Sequence, residues 1–419
     1  MVRFKLSDVA AAVDGRLVGP NVEIDGATID SRSVSGGELF VPIVAERDGH
    51  DFIADAVSAG AAASLTDRAD ALATAPGVVV DDTAAALLRL GSMAREHLPA
   101  PVVGITGSVG KTSTKDLVAA ACGAVVPTHA NPASFNNELG LPLTLLNAPA
   151  ETAVTVLEMG ARGPGHIAQL CLVAAPTIGV VTRVALAHGE FFGSIEGVAR
   201  AKSELVAALP ADGVAVLNAG DRLVAAMADR TDARVVTYGS SAEFDRAASR
   251  PDVFVDDLRL DDLLRPSFRL VTPVGSHQIA LDARGAHMAG NAAAAMATAF
   301  AAGLDLAAAA RGLERAEMAP SRMAVHRLSN GAVLIDDSYN ANPTSVRAGL
   351  DALVEVDRPN RTAVLGVMAE LGDDSEELHR EIAERCQALS VRLIAVAAPA
   401  YGPDVEHIVD ADRAADLLD

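Results

Sequence analysis

The stretch "GITGSVGKTST", Gly104 to Thr114, holds the residue types and spacing of a phosphate-binding turn. Gly107 and Gly110 let main-chain N–H groups turn inward around phosphate oxygens, with Ser108 and Ser113 in the same turn. Lys111 can reach the terminal phosphates, and the Thr112 hydroxyl can bind Mg²⁺. Two later groups suit the same chemistry. Glu158 closes the apolar run "VTVLEMG" and His188 closes "VVTRVALAH". Ligands of open parallel sheets gather at the carboxyl ends of strands, so both are expected beside the phosphate loop. A lone histidine would otherwise read as structural.

Lysine is rare here: the chain has four, Lys5, Lys111, Lys115 and Lys202. Lys202 lies in "SIEGVARAKSELVAALP", where Val198, Lys202, Leu205 and Leu209 share one helical stripe. An amine on that buried face has its pKa lowered, and a neutral amine is a nucleophile. The alternative is a lysine that snorkels from the helix edge or pairs with Glu204. The residue pattern leaves both open.

The elements that must position these groups follow from hydropathy. Up to residue 98, short strand-like runs ("VEIDGATID", "GELFVPIV", "GVVVDD") alternate with helices such as "TAAALLRLGSMAREH". After the Pro-rich "LPAPVVGITG", the runs "PVVGITG", "TAVTVLEMG", "TIGVVTRVALAH" and "GVAVLN" predict parallel strands with helices between them. A second α/β series, "GAVLIDDSYN", "RTAVLGVM" and "VRLIAVAAP", follows "RGLERAEMAPSRM". The expected organisation is three α/β domains: a small one over 1–98, a central phosphate-loop domain with a parallel sheet over 99–313, and a Rossmann-like one over 314–419.

Composition removes several function classes. A formal net charge of −21 and a pI near 4.8 argue against nucleic-acid binding, which needs a basic face. Cys122, Cys171 and Cys386 are scattered in apolar surroundings, so no disulfide framework or metal cluster is expected and a cytoplasmic setting fits. No run has the length and character of a membrane span, and aromatics make up 3% of residues, which leaves few stacking platforms.

Taken in order, "GITGSVGKTSTKDL", "SFNNELGLPLTLL", "VLEMGA", the pair Ala187-His188, "AKSEL" and "DDSYNANP" resemble the Mur ligases. The branch they look like joins D-alanyl-D-alanine to UDP-N-acetylmuramoyl tripeptide, and "IDSRSVSGGELFV" with "DGHDFI" extends the likeness over nearly the whole chain. The resemblance implies a monomeric cytoplasmic enzyme of peptidoglycan synthesis that uses ATP and two Mg²⁺ ions. It implies that Lys111 and Thr112 hold phosphates and metal, and that Glu158 and His188 are metal ligands. Lys202 would be carbamylated by CO₂ and would supply an anionic oxygen to the second Mg²⁺. Asn291 in "GAHMAGNAAAA" would meet adenine, while Arg322, Asp337, Tyr339 and Asn340 would close over the nucleotide from the third domain. Asp30, Ser31 and Arg32 would bind the uridine end, and Asn136 and Asn137 would line the substrate channel. For the Asn-Pro of "NANP" alone, an ordinary turn is the default.

This chain departs from the family pattern at three places: Arg183 stands where an Asn is usual, Gly220 replaces the first of an acidic pair, and Val367 replaces an acid. Arg183 is expected to put a bulky cation near the phosphate site. The family's final strand and helix are not found after "ADRAADLLD", so an incomplete third domain is expected. Two other readings stay open at this point: an ATP-dependent amide ligase of another pathway, and a homologue that binds nucleotide or UDP-sugar without catalysis.

Overall fold

Five-residue runs of β-branched and aliphatic residues, Val102–Thr106, Val154–Glu158 and Val214–Asn218, are buried along their whole length, as strands covered on both faces require. The computed structural model describes residues 3–73, 75–99, 101–132, 135–185, 192–241, 250–329, 331–356 and 358–414. It divides into two compact units, and the strand Val102–Thr106 begins in one and ends in the other.

The first unit comprises Met1–Gly104, Val126–Gly160 and Ile167–Ile178. Among its described residues is a five-stranded sheet in the order Arg16–Val18, Gly77–Val79, Ala63–Thr66, Leu39–Phe40, Ala27–Thr28. The last four strands run parallel, and Arg16–Val18 is the antiparallel edge. The helix Thr83–Glu96 is capped by Asp82, whose carboxylate accepts from the N–H groups of Ala84 and Ala85. Its Gly91 lies so close to Pro142 and Val173 that a Cβ there would stand 2.5 Å from the proline ring. Asn147 bonds both polar groups of the Ala27 backbone, at 2.9 Å each, and Arg95 Nε donates to the Ala174 carbonyl at 2.7 Å. These contacts bind the first 98 residues to the helices Gly140–Leu146 and His166–Ala174. The compact unit therefore does not stop at the boundary read near residue 98.

The second unit comprises Ile105–Val125, Ala161–His166 and Gly179–Asp419. Its part of the central sheet continues from the end of Val102–Thr106 through Ile178–Val181, Val214–Asn218, Arg234–Ser240, Val253–Leu260, Pro266–Thr272 and Gly275–Ala280. The last two strands are antiparallel, an extension that the sequence reading missed. Their signal is the alternating burial of "PSFRLVT", which residue-by-residue hydropathy could have supplied. The helix Lys111–Gly123 packs against His287–Ala301 and Leu306–Glu314. Close approach depends on small residues: Ala292 to Ala295 and Ala297 are fully buried, and a Cβ on Gly312 would fall 2.3 Å from the Ala120 carbonyl oxygen. Beyond lie the hairpin Ala324–Arg327 and Val333–Asp336, and the parallel strands Thr362–Leu365, Arg392–Val396 and Glu406–Ile408. Leu350, Met368, Ile382, Cys386 and Tyr401 form the core of that last part.

One expected strand is cut short. Among the described residues of "TIGVVTRVALAH" the strand covers Ile178–Val181; Thr182 N still donates to the Thr106 carbonyl, and residues 183–185 bond elsewhere.

Replacing Asn147 with alanine strands the buried N–H and C=O of Ala27. The variant is expected to lose about 1–3 kcal/mol of stability, read as a lower thermal midpoint by circular dichroism. A midpoint equal to that of the parent would show that water replaces both bonds.

Candidate active site

The phosphate-type loop takes its shape from two glycines and from the four residues that follow the strand Ile178–Val181. Gly107 has φ +150° and Gly110 φ +81°, conformations that L side chains rarely adopt. A Cβ on Gly107 would lie 1.9 Å from Thr182 Oγ1. Thr182 Oγ1 donates to the Val109 carbonyl at 2.7 Å, and Ser108 N donates to the Arg183 carbonyl at 2.7 Å. Ser108 Oγ donates to the Ala185 carbonyl at 2.9 Å and accepts from Ala185 N at 3.0 Å. The segment is held in turn from its far side: Asn218 Nδ2 donates to the Thr182 carbonyl, and Asp221 Oδ2 accepts from Val184 N. Lys111 Nζ lies 2.9 Å from the Gly107 carbonyl, folded back over the turn.

Groups from distant sequence meet the same loop. Asn291 Oδ1 would stand 3.1 Å from a Cβ on Gly110, which puts the expected adenine-binding residue against the turn. Arg322 Nη2 donates to Thr112 Oγ1 at 3.2 Å, and its guanidinium lies 3.9 Å from the centre of the Tyr339 ring. Asp337 Oδ1 accepts from Met323 N, and burial raises its carboxyl above the ordinary value. Ser321 and Met323 have φ of +54° and +55°, so this connection is strained where Arg322 leaves it. Asn340 accepts from the next residue's N–H, and Asn342, with Pro343 following, caps the helix Pro343–Glu355. The Asn-Pro pair is thus a helix start rather than the ordinary turn of its default reading.

Lys202 is 2% exposed. Ser194 caps its helix, Ile195–Ala207, and Val198 and Leu205 are buried with it. Leu209, the fourth member of the stripe, is buried two residues beyond the helix end. Gly179 lets Leu205 and Leu209 sit against the sheet, since a Cβ there would be 3.1–3.2 Å from them. The Phe192 ring lies 5.7 Å from the amine, and Glu204 bonds Gly165 N instead. The snorkelling alternative is excluded by this burial. Desolvation, helped by the charge of Lys111 and opposed by Glu204, brings the Lys202 amine down from 10.5 to about 7.

Within the first unit, Glu158 is also 2% exposed. Its Oε1 accepts from Asn136 Nδ2 at 2.7 Å, and its Oε2 is buried with no hydrogen-bond partner among the described residues. A buried carboxylate with one oxygen unmatched suits a cation. Asn136, expected to line a substrate channel, is committed to this carboxylate. Asn137 Oδ1 accepts from Leu139 N and Gly140 N at the start of the helix Gly140–Leu146. Sequence spacing could not reveal either bond. Arg32 is exposed and forks onto Asp30 through bonds of 2.9 and 2.7 Å, which hold the Asp30 carboxyl down at about 2, and Ser31 opens the same short turn. His188 lies outside the described residues. Among the described residues no three His, Cys, Asp or Glu side chains converge.

Known proteins supply the context for this geometry. The Mur ligase middle domain matches residues 105–299, the Mur ligase glutamate ligase domain residues 321–418, and the Mur ligase family catalytic domain residues 23–95. The UDP-N-acetylmuramoyl-tripeptide–D-alanyl-D-alanine ligase of Mycobacterium leprae is 39% identical over 94% of this chain and 86% of its own length. The chain belongs to the Mur ligase family, on its MurF branch. The crystal structure of MurF from Acinetobacter baumannii superimposes with a TM-score of 0.85 at 31% identity, covering 94% of this chain and 86% of that one. MurF ligase from Thermotoga maritima, solved in complex with ADP, gives 0.80 at 26% identity over 94% and 90%. As a Mur ligase, this chain has an N-terminal, a central and a C-terminal α/β domain.

Two expectations follow. Gly107→Ala drives a methyl group into Thr182 and forces a strained φ, so ATP affinity by calorimetry should fall on the order of 100-fold while circular dichroism is unchanged. Unaltered affinity would mean that the loop does not hold the nucleotide. The second concerns Lys202, which binds a proton in the unfolded chain but not in the folded one between pH 7 and 10.5. Its burial therefore makes stability rise with pH across that window and costs most below it. Lys202→Met should be more stable than the parent in denaturant unfolding at pH 7, with the gap shrinking towards pH 10. A gap that does not depend on pH would contradict the lowered value.

Proposed function

We infer that this chain is an ATP-dependent ligase that joins D-alanyl-D-alanine to UDP-N-acetylmuramoyl tripeptide in peptidoglycan precursor synthesis. The tripeptide carboxylate attacks the γ-phosphorus of ATP, ADP leaves, and an acyl phosphate forms. The dipeptide amine then attacks the acyl carbon, loses a proton, and expels inorganic phosphate. The observation that carries this reading is a buried, depressed-pKa lysine in a domain that also holds a glycine-shaped phosphate loop. The ADP bound by the Thermotoga maritima relative supports the choice of nucleotide.

The roles follow residue by residue. Lys111 swings from the loop carbonyls to the β- and γ-phosphates, and the N–H groups of 107–113 surround them. Asn291 orients the base, and Arg322 with Tyr339 covers the nucleotide, while Asp337 and Asn340 shape that cover. Mg²⁺, when bound, neutralises charge on the phosphoryl group in transfer. Thr112, Glu158, His188 and a carbamate on Lys202 are its proposed ligands, and the unmatched Glu158 oxygen fits that assignment. A primary amine that is half neutral near pH 7 can add CO₂, which a guanidinium cannot do. Asn136 then acts by holding Glu158, and Ser31 and Arg32 receive the uridine end. The domains of this reading are 1–98, 99–313 and 314–419, and the enzyme is a cytoplasmic monomer. Among the described residues no helix is long and apolar enough to cross a membrane.

The test is phosphate release by the purified chain with ATP, UDP-N-acetylmuramoyl tripeptide and D-alanyl-D-alanine, beside a panel of other amines. Release is expected with the dipeptide. Lys202→Arg and Lys202→Ala should each lose on the order of 100-fold in rate, and millimolar acetate should restore part of the alanine variant alone. Full activity in Lys202→Arg would remove the carbamate. Release only with another amine, or ATP binding without release, would replace the reading with a different amide ligase or a non-catalytic homologue.

A further inference from the structure

The segment that frames the phosphate loop is itself gripped by a side chain two strands away. Tyr238 is 3% exposed in the strand Arg234–Ser240, in register with Asn218 of the strand Val214–Asn218. In the central sheet these two are followed by Ile178–Val181 and then Val102–Thr106. The Tyr238 hydroxyl reaches past the intervening strand and shares its proton between the Val181 and Thr182 carbonyls, at 3.0 and 3.2 Å. Asn218 Nδ2 donates to the same Thr182 carbonyl at 2.9 Å. A carbonyl oxygen has two lone pairs, and here two buried side chains take both.

Thr182 passes that constraint to the loop. Its N–H donates to the Thr106 carbonyl at 2.9 Å and its hydroxyl to the Val109 carbonyl at 2.7 Å, so one residue holds the backbone on both sides of Gly107. With its own carbonyl held by Asn218 and Tyr238, every polar group of Thr182 is engaged. The next carbonyl, that of Arg183, accepts from Ser108 N at 2.7 Å. A tilt of the peptide between Thr182 and Arg183 therefore moves the groups that shape the turn. There is little slack to absorb it, since a Cβ on Gly107 would lie 1.9 Å from Thr182 Oγ1. Core packing at 238 needs only the ring, which phenylalanine would supply; the hydroxyl is the part that reaches the loop's frame.

We propose that Tyr238 is a positioning residue for the phosphate loop, whose hydroxyl, acting through Thr182, sets the orientation in which the loop's N–H groups meet the polyphosphate of ATP. Hydrogen bonds weaken steeply with misalignment, so a small rotation of the loop lowers the strength of several bonds to phosphate at once. Tyr238 touches no nucleotide in this arrangement. Its effect is carried by the bonds that run from Thr182 to Val109 and from Ser108 to Arg183. The inference rests on the ligase reading for the identity of the nucleotide.

Titration calorimetry of the full chain with ATP, and separately with UDP-N-acetylmuramoyl tripeptide, tests it. Tyr238→Phe keeps the ring and should weaken ATP binding about 5-fold at unchanged stoichiometry, with the affinity for the UDP-sugar peptide as in the parent. Asn218→Ala removes the other donor to the Thr182 carbonyl and should weaken ATP binding in the same direction. Thr182→Val cuts the bond from that residue's side chain to the loop, so adding Tyr238→Phe to it should cost less than about 2-fold more. ATP affinity of Tyr238→Phe within about 2-fold of the parent would overturn the proposal. So would a loss confined to stoichiometry or to the thermal midpoint, which marks a hydroxyl that serves the core alone, or an undiminished loss in the Thr182→Val background. A parent that binds no ATP would overturn the ligase reading itself, whereas an ATP-binding, ligating parent with an unaffected Tyr238→Phe variant would overturn only the role of Tyr238.

Discussion

A loop made of glycines has no side chains to pack, so its shape must be imposed by hydrogen bonds from its neighbours. Here they come from residues 182–185: Thr182 N keeps a bond to the Thr106 carbonyl of the neighbouring strand, and Thr182 Oγ1, the Arg183 carbonyl and Ala185 bond Val109 and Ser108. Asn218 and Asp221 fix that segment from behind. The protein's own groups thereby fix the conformation of the loop's glycines, whose ordering costs the most backbone entropy. The helix Lys111–Gly123, the residues reaching it from Asn291 and Arg322, and the inward fold of Lys111 all take their positions from this frame.

The same unit carries a stability cost at Lys202. A buried amine near neutrality is not what a sequence optimised for stability alone would place on an apolar stripe. Val198 and Leu205 bury around it, and the Gly179 backbone lets the helix come close enough to do so. The packing that desolvates the amine is therefore also what gives it unusual reactivity. Glu158 shows the counterpart in the first unit: a buried carboxyl with Asn136 matching one oxygen and the other unmatched among the described residues.

Local pattern carried much of this into view. Glycine spacing marked the phosphate turn, apolar runs marked the central strands, the helical stripe placed Lys202 on a buried face, and the Asn-Pro pair read as a turn before becoming a helix cap. Each of these is fixed by residues within about two turns of one another, where backbone preference and periodicity act directly.

What tertiary structure alone decided are the pairings between distant residues. Nothing in "VVTRVALAH" marks the point where the strand ends and its backbone turns to the loop some 75 residues earlier, at separations of 73 and 77 for Thr182 and Ala185. Arg322 meets Thr112 across 210 residues, Asn147 meets Ala27 across 120, and Asn136 meets Glu158 across 22. The antiparallel two-strand extension ending at Ala280 was likewise set by partner strands. Residue type and spacing determine which groups are chemically able to act. Which of them meet is determined by the register of packed elements, because a hydrogen bond a few tenths of an ångström too long is no bond at all, and no local rule in a sequence encodes that distance.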